Sequence, residues 1–256
     1  MYKLSIITIN YNNAKGLKRT IESVINQTYK NIEYIIIDGG SSDESVVVIN
    51  EYKNKLAFSI SEKDNGVFDA QNKGIQRASG EYILVLNSGD ELDNFNVLES
   101  IFNTNHTEDI IYGNMIIVYE NNRSEYGKMP KMINFAHMMN DTLWHPVSFV
   151  KKDFLNRVGL YDTSYKIVAD YEWFLRAIFK FHAILKYYDM PISVFYLGGL
   201  SSHIDNVERI KSERLIAQIS NFGEERVNEF NKIKSASKSK IKLINRVINW
   251  FNNFIS

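Results

Sequence analysis

Apolar residues recur along this chain at spacings that predict strands and helices in alternation. Short apolar runs rich in β-branched residues predict four strands, over residues 4–9, 32–37, 56–60 and 82–86. Between them, apolar residues follow a helical spacing, as from Leu17 to Ile25 and from Val46 to Tyr52. Strands that alternate with helices in this way favour an α/β fold with a parallel, right-handedly wound sheet.

The segment over residues 64–92 combines a turn, a helix, a buried strand and an acidic cluster. Asp69 is expected to cap the helix at its N-terminus, and Gly80 to end it in the left-handed conformation. The strand that follows runs into an oxygen-rich turn over residues 87–91. Ligands of open α/β sheets bind at the carboxyl ends of strands, so this turn predicts a site for a divalent cation and phosphates.

The second half of the chain is less regular. It predicts strands over residues 109–119, 183–187 and 192–196, a loop over 129–139, a helix over 152–158 and another opened by residues 168–170. The strands and helices of this half therefore form a weaker pattern than the alternation that precedes them.

Composition and charge exclude several classes of protein. The 256 residues include 30 basic and 30 acidic side chains, so net charge gives no reason to expect a nucleic-acid partner. The absence of cysteine excludes disulfides, thiolate metal sites and a cysteine nucleophile. The N-terminal residues are typical of a first strand and not of a signal peptide, which indicates a cytoplasmic protein.

Six motifs occur in order along the chain: SIITINYN, IIIDGGSSDES, SEKDNGVFDAQNKGIQRASGEYILVLNSGDEL, HPVSFVKKDFLNRVGLYD, ADYEWFLR and LGGLSS. Together they resemble the family 2 glycosyltransferases of the GT-A fold, in particular the bacterial enzymes that build surface polysaccharides. The resemblance implies a GT-A (Rossmann-like) domain over residues 1–203, with a mixed, mainly parallel sheet flanked by helices. Residues 204–256 would then form a C-terminal helical extension.

The resemblance also implies a reaction. A hexosyl or N-acetylhexosaminyl group would move, with inversion, from a nucleotide-diphosphate sugar, expected to be a UDP-sugar, to a glycan acceptor. The departing diphosphate concentrates negative charge, which a divalent cation (Mn²⁺ or Mg²⁺) can neutralise. A single displacement also needs one general base to accept the proton of the attacking hydroxyl.

Asp90 is the predicted metal ligand, because it follows the buried strand where the family places its metal aspartate. The family usually has D-x-D or D-D there, whereas this chain has Asn87, Ser88 and Gly89 before Asp90. One carboxylate is therefore missing, and the diphosphate and water would complete the shell. The alternative is that Asp90 only caps a helix after Glu91.

Asp170 is the predicted catalytic base, because the family places an acidic pair before a helix here, although Ala169 replaces the first member. Glu172 is the neighbouring carboxylate most easily confused with it. The alternative role of Asp170 is an N-cap for the same helix.

Seven residues are predicted from the resemblance to bind the donor: Thr8, Asn10, Tyr11, Asp38, Asn72, Lys73 and Asn87. Tyr11 could instead pack beneath its own loop, and Lys73 could be an ordinary solvated lysine. His145 is assigned to the acceptor side, with a hydrogen-bonded loop histidine as the alternative.

The last residues predict a membrane contact. After Glu229 the chain has no acidic residue and has six basic residues, which lie between Lys232 and Arg246. Apolar residues recur at helical spacing from Ile241 to Ile255. Such a basic amphipathic helix suits a membrane surface, here the cytoplasmic face of the plasma membrane, and a lipid-linked glycan acceptor. A helix docked on the catalytic domain or on a second subunit is the alternative.

Two other functions remain open from the sequence. A sugar-nucleotide nucleotidyltransferase shares a related sheet but would need a glycine- and arginine-rich phosphate loop after the first strand, where residues 10–13 read NYNN. A nucleotide-sugar binding module without catalytic activity would explain the missing carboxylates at Asn87 and Ala169.

Overall fold

A computed structural model describes residues 1–199 and 204–237 of the chain. The chain divides into two compact units, residues 1–214 and the residues from 215 onward. The boundary after residue 203 remains a prediction. No helix in the described ranges is long and apolar enough to cross a membrane.

One mixed sheet organises the first unit. Its strands within the described residues are β1 (Leu4–Asn10), β2 (Ile32–Asp38), β3 (Phe58–Ser61), β4 (Tyr82–Val85), β5 (Glu91–Leu92), β6 (Ile110–Val118), β7 (Ser124–Gly127), β8 (Ser148–Lys151) and β9 (Leu185–Tyr196). They lie in the order β3-β2-β1-β4-β8-β6-β9-β5, and β7 pairs with β6. The two longest pairings, β1 with β2 and β6 with β9, are parallel.

The part of the sheet formed by β3, β2, β1 and β4 is parallel, which confirms the parallel sheet predicted for the first ninety residues. All seven residues of β1 and all four of β4 are buried, as expected for strands covered on both faces. Asn10 pairs with Asp38, so the carboxyl ends of β1 and β2 lie side by side.

Helices connect strands of the first unit, and the helix Val207–Phe222 continues into the second unit. They are α1 (Ala14–Ile25), α2 (Ser45–Glu51), α3 (Val67–Arg77), α4 (Val97–Phe102), α5 (Phe135–Asn140), α6 (Lys152–Val158), α7 (Ala169–Leu175) and α8 (Val207–Phe222). Residues 224–237 are also helical, and residues 238–256 of the predicted membrane-binding tail lie outside the described residues.

Two predicted ends of α3 are wrong. The helix begins at Val67 with Gly66 as its N-cap residue, so Asp69 lies inside the first turn, where it accepts from the Asn65 N–H at 3.0 Å and lies 3.6 Å from Lys73. Gly80 does not have a positive φ angle. It is required because a Cβ there would lie 2.6 Å from the backbone nitrogen of Ser5 and 2.8 Å from the carbonyl oxygen of Lys3.

Two predictions in the second half also need correction. The strands predicted over residues 183–187 and 192–196 form one continuous strand, β9, which passes through Pro191. Pro191 is tolerated because it pairs with Asn114 where the register with β6 shifts, and an irregular position does not need its N–H. The loop predicted over residues 129–139 contains the start of α5, which Asn134 caps by accepting from the His137 N–H at 2.9 Å.

Glu33 joins the sheet to the loop after α3 at the end opposite the candidate site. Its carboxylate accepts from Lys3 Nζ at 2.8 Å, from Ser5 Oγ at 2.6 Å, and from both the N–H and the hydroxyl of Ser79. Burial alone would raise the pKa of Glu33, but these hydrogen bonds outweigh it and lower the pKa to about 2.

Glu33→Gln is therefore expected to lower the free energy of unfolding at pH 7 by about 1–3 kcal/mol. A carboxylate with a lowered pKa stabilises the fold above its unfolded pKa, and this contribution disappears as pH falls from about 4.5 to about 2. Urea unfolding at pH 7 and pH 3 measures both effects. Glu51→Gln is the control, because the exposed Glu51–Lys18 pair should contribute less than about 1 kcal/mol. Equal losses in the two variants would contradict the prediction.

Candidate functional site

The carboxyl ends of β1 and β2 form the first part of the site. Asp38 is fully buried, and its carboxylate accepts from Asn10 Nδ2 at 2.7 Å, Ser61 Oγ at 2.6 Å, and the N–H and hydroxyl of Ser41 at 2.9 and 2.6 Å. Burial would raise the pKa of Asp38, but these donors outweigh it and lower the pKa. Asp38 is thus held as a carboxylate that orders the loops after β1, β2 and β3.

Two further residues predicted to bind the donor, Thr8 and Tyr11, lie near this edge, and one is buried while the other is exposed. The Thr8 side chain is fully buried and shares a 3.0 Å hydrogen bond with the Tyr34 hydroxyl, so it does not line the surface where a donor could bind. Tyr11 is 67% exposed at the start of the loop after β1, so its ring is available to a ligand. Of these two side chains, only that of Tyr11 fits the predicted contact with a nucleoside.

The turn after β4 is tied to α1. The Thr20 hydroxyl donates to the Asp90 carbonyl at 2.7 Å and accepts from the Gly89 N–H at 2.9 Å. Arg19 donates to the Gly89 carbonyl, lies 3.1 Å from a Glu91 carboxylate oxygen, and covers the ring of Tyr196. The alternative role of Asp90 as a helix cap is wrong, because β5 follows it.

Asp90 is a buried carboxylate that few hydrogen-bond donors stabilise. It is 5% exposed, and the Tyr196 N–H donates to its Oδ1 at 3.4 Å. Burial raises its pKa to about 7, although nearby His145, the Tyr196 N–H and Arg19 partly oppose that rise. An ionised carboxylate in this position lacks a strong counter-charge, which a bound cation would supply.

The missing second carboxylate has a conformational cause. Gly89 has φ +108°, which side chains other than glycine rarely adopt, so an aspartate there would strain the turn. Within residues 1–199 and 204–237, no three His, Cys, Asp or Glu side chains are grouped to hold a metal ion. In the turn after β4 the Glu91 carboxylate is paired with Arg19, so Asp90 would be the single carboxylate ligand, which fits an ion held mainly by phosphate oxygens and water, as Mg²⁺ often is.

His145 connects the predicted base to the turn after β4. His145 begins a short 3₁₀ helix, and its Nδ1 lies 3.0 Å from Oδ2 of Asp170, the second residue of α7. Its Nε2 lies 3.2 Å from Nδ2 of Asn87. Asn87 Oδ1 accepts from Gln71 Nε2 of α3 at 3.2 Å. Gln71 was not anticipated from the sequence, where its spacing marked it only as part of a helix.

The two acidic residues of α7 have different partners. Glu172 is buried, and both of its oxygens accept from Arg176 Nε, at 2.9 and 3.0 Å. Asp170 keeps a partly exposed side chain, and its Oδ1 accepts from the Tyr171 N–H at 2.8 Å. Asp170 is therefore the better placed of the two to receive a proton from a bound molecule.

Glu213 supports the loop that leads into α7. Its carboxylate accepts from the backbone N–H groups of Lys166, Ile167 and Val168 at 3.0–3.3 Å. It is buried, and Arg209 Nε lies 3.4 Å from it. No local pattern marks Glu213 in the sequence, because its partners lie more than forty residues earlier.

The remaining two predicted donor residues have partners within the protein. Asn72 exchanges two hydrogen bonds with the backbone of Tyr161, donating at 2.9 Å and accepting at 3.0 Å. Lys73 Nζ lies 2.9 Å from Glu62 and 3.6 Å from Asp69, and the hydrogen bond to Glu62 raises its pKa. Asn72 thus joins α3 to the loop after α6, and contacts of either residue with a donor remain predictions.

Comparison with known structures identifies the fold. TarS of S. aureus, residues 1–349 in complex with UDP-GlcNAc, matches 89% of this chain and 70% of its own at TM-score 0.67 and 18% identity. The chain spans 42% of a longer TarS structure. The mannosyltransferase PcManGT from Pyrobaculum calidifontis, in complex with GDP-Man and Mn²⁺, matches 86% of this chain and 64% of its own at TM-score 0.64 and 14% identity.

The mixed sheet thus has the GT-A fold, as predicted. Residues 5–168 match the description "Glycosyl transferase family 2", and the chain belongs to that family. An uncharacterized glycosyltransferase of Mycobacterium tuberculosis is 32% identical over 179 residues, which cover 68% of each chain. The protein is therefore a family 2 glycosyltransferase.

Proposed function

We propose that this enzyme transfers a hexosyl or N-acetylhexosaminyl group from a UDP-sugar, with inversion, to a lipid-linked glycan acceptor of a bacterial surface polysaccharide. The observation that carries the proposal is the hydrogen-bonded connection from Asp170 through His145 to Asn87. It links the candidate base to the turn after β4, which we propose to bind the diphosphate. UDP-GlcNAc in TarS supports a uridine donor, whereas GDP-Man in PcManGT keeps guanosine as the competitor.

The proposed reaction is a single displacement. An acceptor hydroxyl oxygen forms the new bond to the anomeric carbon while the bond from that carbon to the diphosphate breaks. Asp170 accepts the hydroxyl proton, and the nucleoside diphosphate leaves with the bonding electrons. Asp90 would hold a divalent cation, which supplies charge neutralisation for the diphosphate when bound.

Because Asp90 is the one carboxylate proposed to bind the metal, we expect the metal and the nucleotide to bind together. Mn²⁺ alone is expected to bind weakly, because Asp90 provides one ligand and ionises only as pH rises through about 7. UDP with Mn²⁺ should raise the thermal midpoint by several degrees more than either ligand alone, since ligands that bind the native state stabilise it.

A thermal-shift screen of UDP-, GDP- and dTDP-sugars, each with and without Mn²⁺ at pH 8, measures this. GDP with Mn²⁺ serves as the matched control for UDP with Mn²⁺. A shift with GDP-sugars alone would overturn the uridine assignment, and equal shifts with and without Mn²⁺ would overturn the metal role.

We also propose that the tail binds the cytoplasmic face of the membrane, where a lipid-linked acceptor would lie. The support is the basic, acid-free composition after Glu229. Deleting residues 231–256 keeps Glu213 and is expected to spare hydrolysis of the donor while abolishing binding to vesicles that contain anionic lipid. Vesicles of neutral lipid are the control, and unchanged binding of the shortened protein to anionic vesicles would contradict the proposal.

A further inference from the structure

We infer that His145 is a positioning residue that holds Asp170 through one ring nitrogen and Asn87, in the turn after β4, through the other. In this role it does not bind the acceptor. This inference rests on the proposed function, because it assumes that Asp170 is the base. It replaces the prediction from the sequence that His145 lies on the acceptor side.

The side-chain amide orientations of Asn87 and Gln71 assign the proton to one ring nitrogen of His145. Asn87 uses its Oδ1 to accept from Gln71 Nε2, which turns its Nδ2 toward His145. An amide nitrogen only donates, so His145 Nε2 must accept. The N–H of the neutral imidazole is therefore on Nδ1, from which it donates to Asp170 Oδ2 at 3.0 Å.

Both ring nitrogens of His145 are thereby occupied inside the protein. Neither is available to an acceptor hydroxyl unless the contact to Asp170 or the contact to Asn87 breaks. The His145 side chain is 20% exposed and the Asp170 side chain 17%, so the two lie at a similar depth and their hydrogen bonds, not their exposure, distinguish their roles. The base itself is constrained on both oxygens, because Tyr171 donates to Oδ1 while His145 donates to Oδ2.

The connection joins elements that are distant in sequence. Gln71 belongs to α3, Asn87 follows β4, His145 opens the 3₁₀ helix before β8, and Asp170 belongs to α7. Gln71 is 1% exposed, so the far end of the connection is anchored in the protein interior. The orientation of Asp170 thus depends on the side chain of Asn87, the first residue of the turn after β4.

Two isosteric substitutions separate the two contacts. In His145→Asn the side-chain amide reaches about as far as Nδ1, so it can still donate to Asp170 but not reach Asn87. In His145→Gln the amide reaches about as far as Nε2, so it can meet Asn87 but not hold Asp170 in the same way. His145→Ala removes both contacts.

The experiment measures kcat, the KM for donor and the KM for acceptor in these three variants of the full chain. We expect His145→Ala and His145→Gln to lose about 100-fold in kcat, because a base displaced by about 1 Å loses that much. His145→Asn should stay within about tenfold of the native enzyme, and the acceptor KM should change less than about threefold in all three variants.

Three outcomes would overturn the inference. A large rise in acceptor KM with kcat retained would return His145 to the acceptor side. If His145→Gln retains kcat and His145→Asn does not, Asn87 is the important contact. Equal losses of kcat in His145→Asn and His145→Gln would indicate a general packing defect, since both variants remove the same ring. Failure of the native enzyme to turn over any nucleotide sugar would instead reject the proposed function, so the two failures are distinguishable.

Discussion

Asp170→Asn is expected to lower the rate of sugar transfer by about 10²–10⁴-fold while donor affinity changes little. The amide keeps the size of the side chain, and its single oxygen can still accept from either the Tyr171 N–H or His145, but the amide cannot take up the acceptor proton. Measuring kcat together with the Kd of UDP in the presence of Mn²⁺ tests both parts. A loss confined to kcat is the signature of an interaction made only in the transition state.

Glu172→Gln is the matched control for that variant, because Glu172 lies two residues away on the same helix. Its carboxylate binds Arg176, which also donates to the carbonyl oxygens of Val158 and Leu160. The control should therefore lower thermal stability and leave kcat of the folded enzyme within about tenfold of native. If Glu172→Gln loses transfer and Asp170→Asn retains it, the base has been assigned to the wrong residue.

Asp90→Asn is expected to raise the stability of the ligand-free protein and to abolish metal-dependent binding of the donor. Burial raises the pKa of Asp90 to about 7, so the folded state holds its proton more tightly than the unfolded state does. The wild-type protein therefore loses stability from this group as pH rises from about 4 to about 7. The neutral amide avoids that loss, which should stabilise the variant by about 2–4 kcal/mol at pH 8 and by very little at pH 4.

Thermal midpoints at both pH values, with and without UDP and Mn²⁺, separate the two effects. The ligands should stabilise the native protein and leave the variant unchanged, so the order of stability reverses when they are present. Asp93→Asn, in the partly exposed turn three residues later, is the control and should move neither quantity. A variant that is less stable than native at pH 8 would show that the Asp90 carboxylate is compensated within the protein.

The two departures from the family pattern at the donor turn and at α7 acquire physical explanations from the structure. Gly89 occupies a backbone conformation that an aspartate would adopt only with strain, and the Glu91 carboxylate of the same turn is paired with Arg19, which leaves Asp90 as the proposed metal ligand. Ala169 is fully buried as the first residue of α7, where an acidic side chain would lack solvent. Both departures therefore reduce the number of charges at the site without removing the base or the metal ligand that we propose.

The amino-acid sequence by itself determined the alternation of strands and helices and the approximate bounds of most of them. Apolar periodicity is a local property, and a strand or helix must present its apolar face whatever the rest of the fold does. For the same reason the sequence correctly placed Asn10, Asp38 and Asp90 at the carboxyl edge of the parallel strands. Its order of motifs was sufficient to predict the family and the fold.

Only the tertiary structure decided which polar groups meet. His145 and Asp170 are 25 residues apart, and Asn87 lies 58 residues before His145, so no local pattern could pair them. The same holds for Glu213, which binds the loop before α7, and for Thr8, whose burial removed it from the predicted donor surface. Hydrogen bonds between distant segments depend on how α3, the turn after β4 and α7 pack, and that packing is a property of the whole fold.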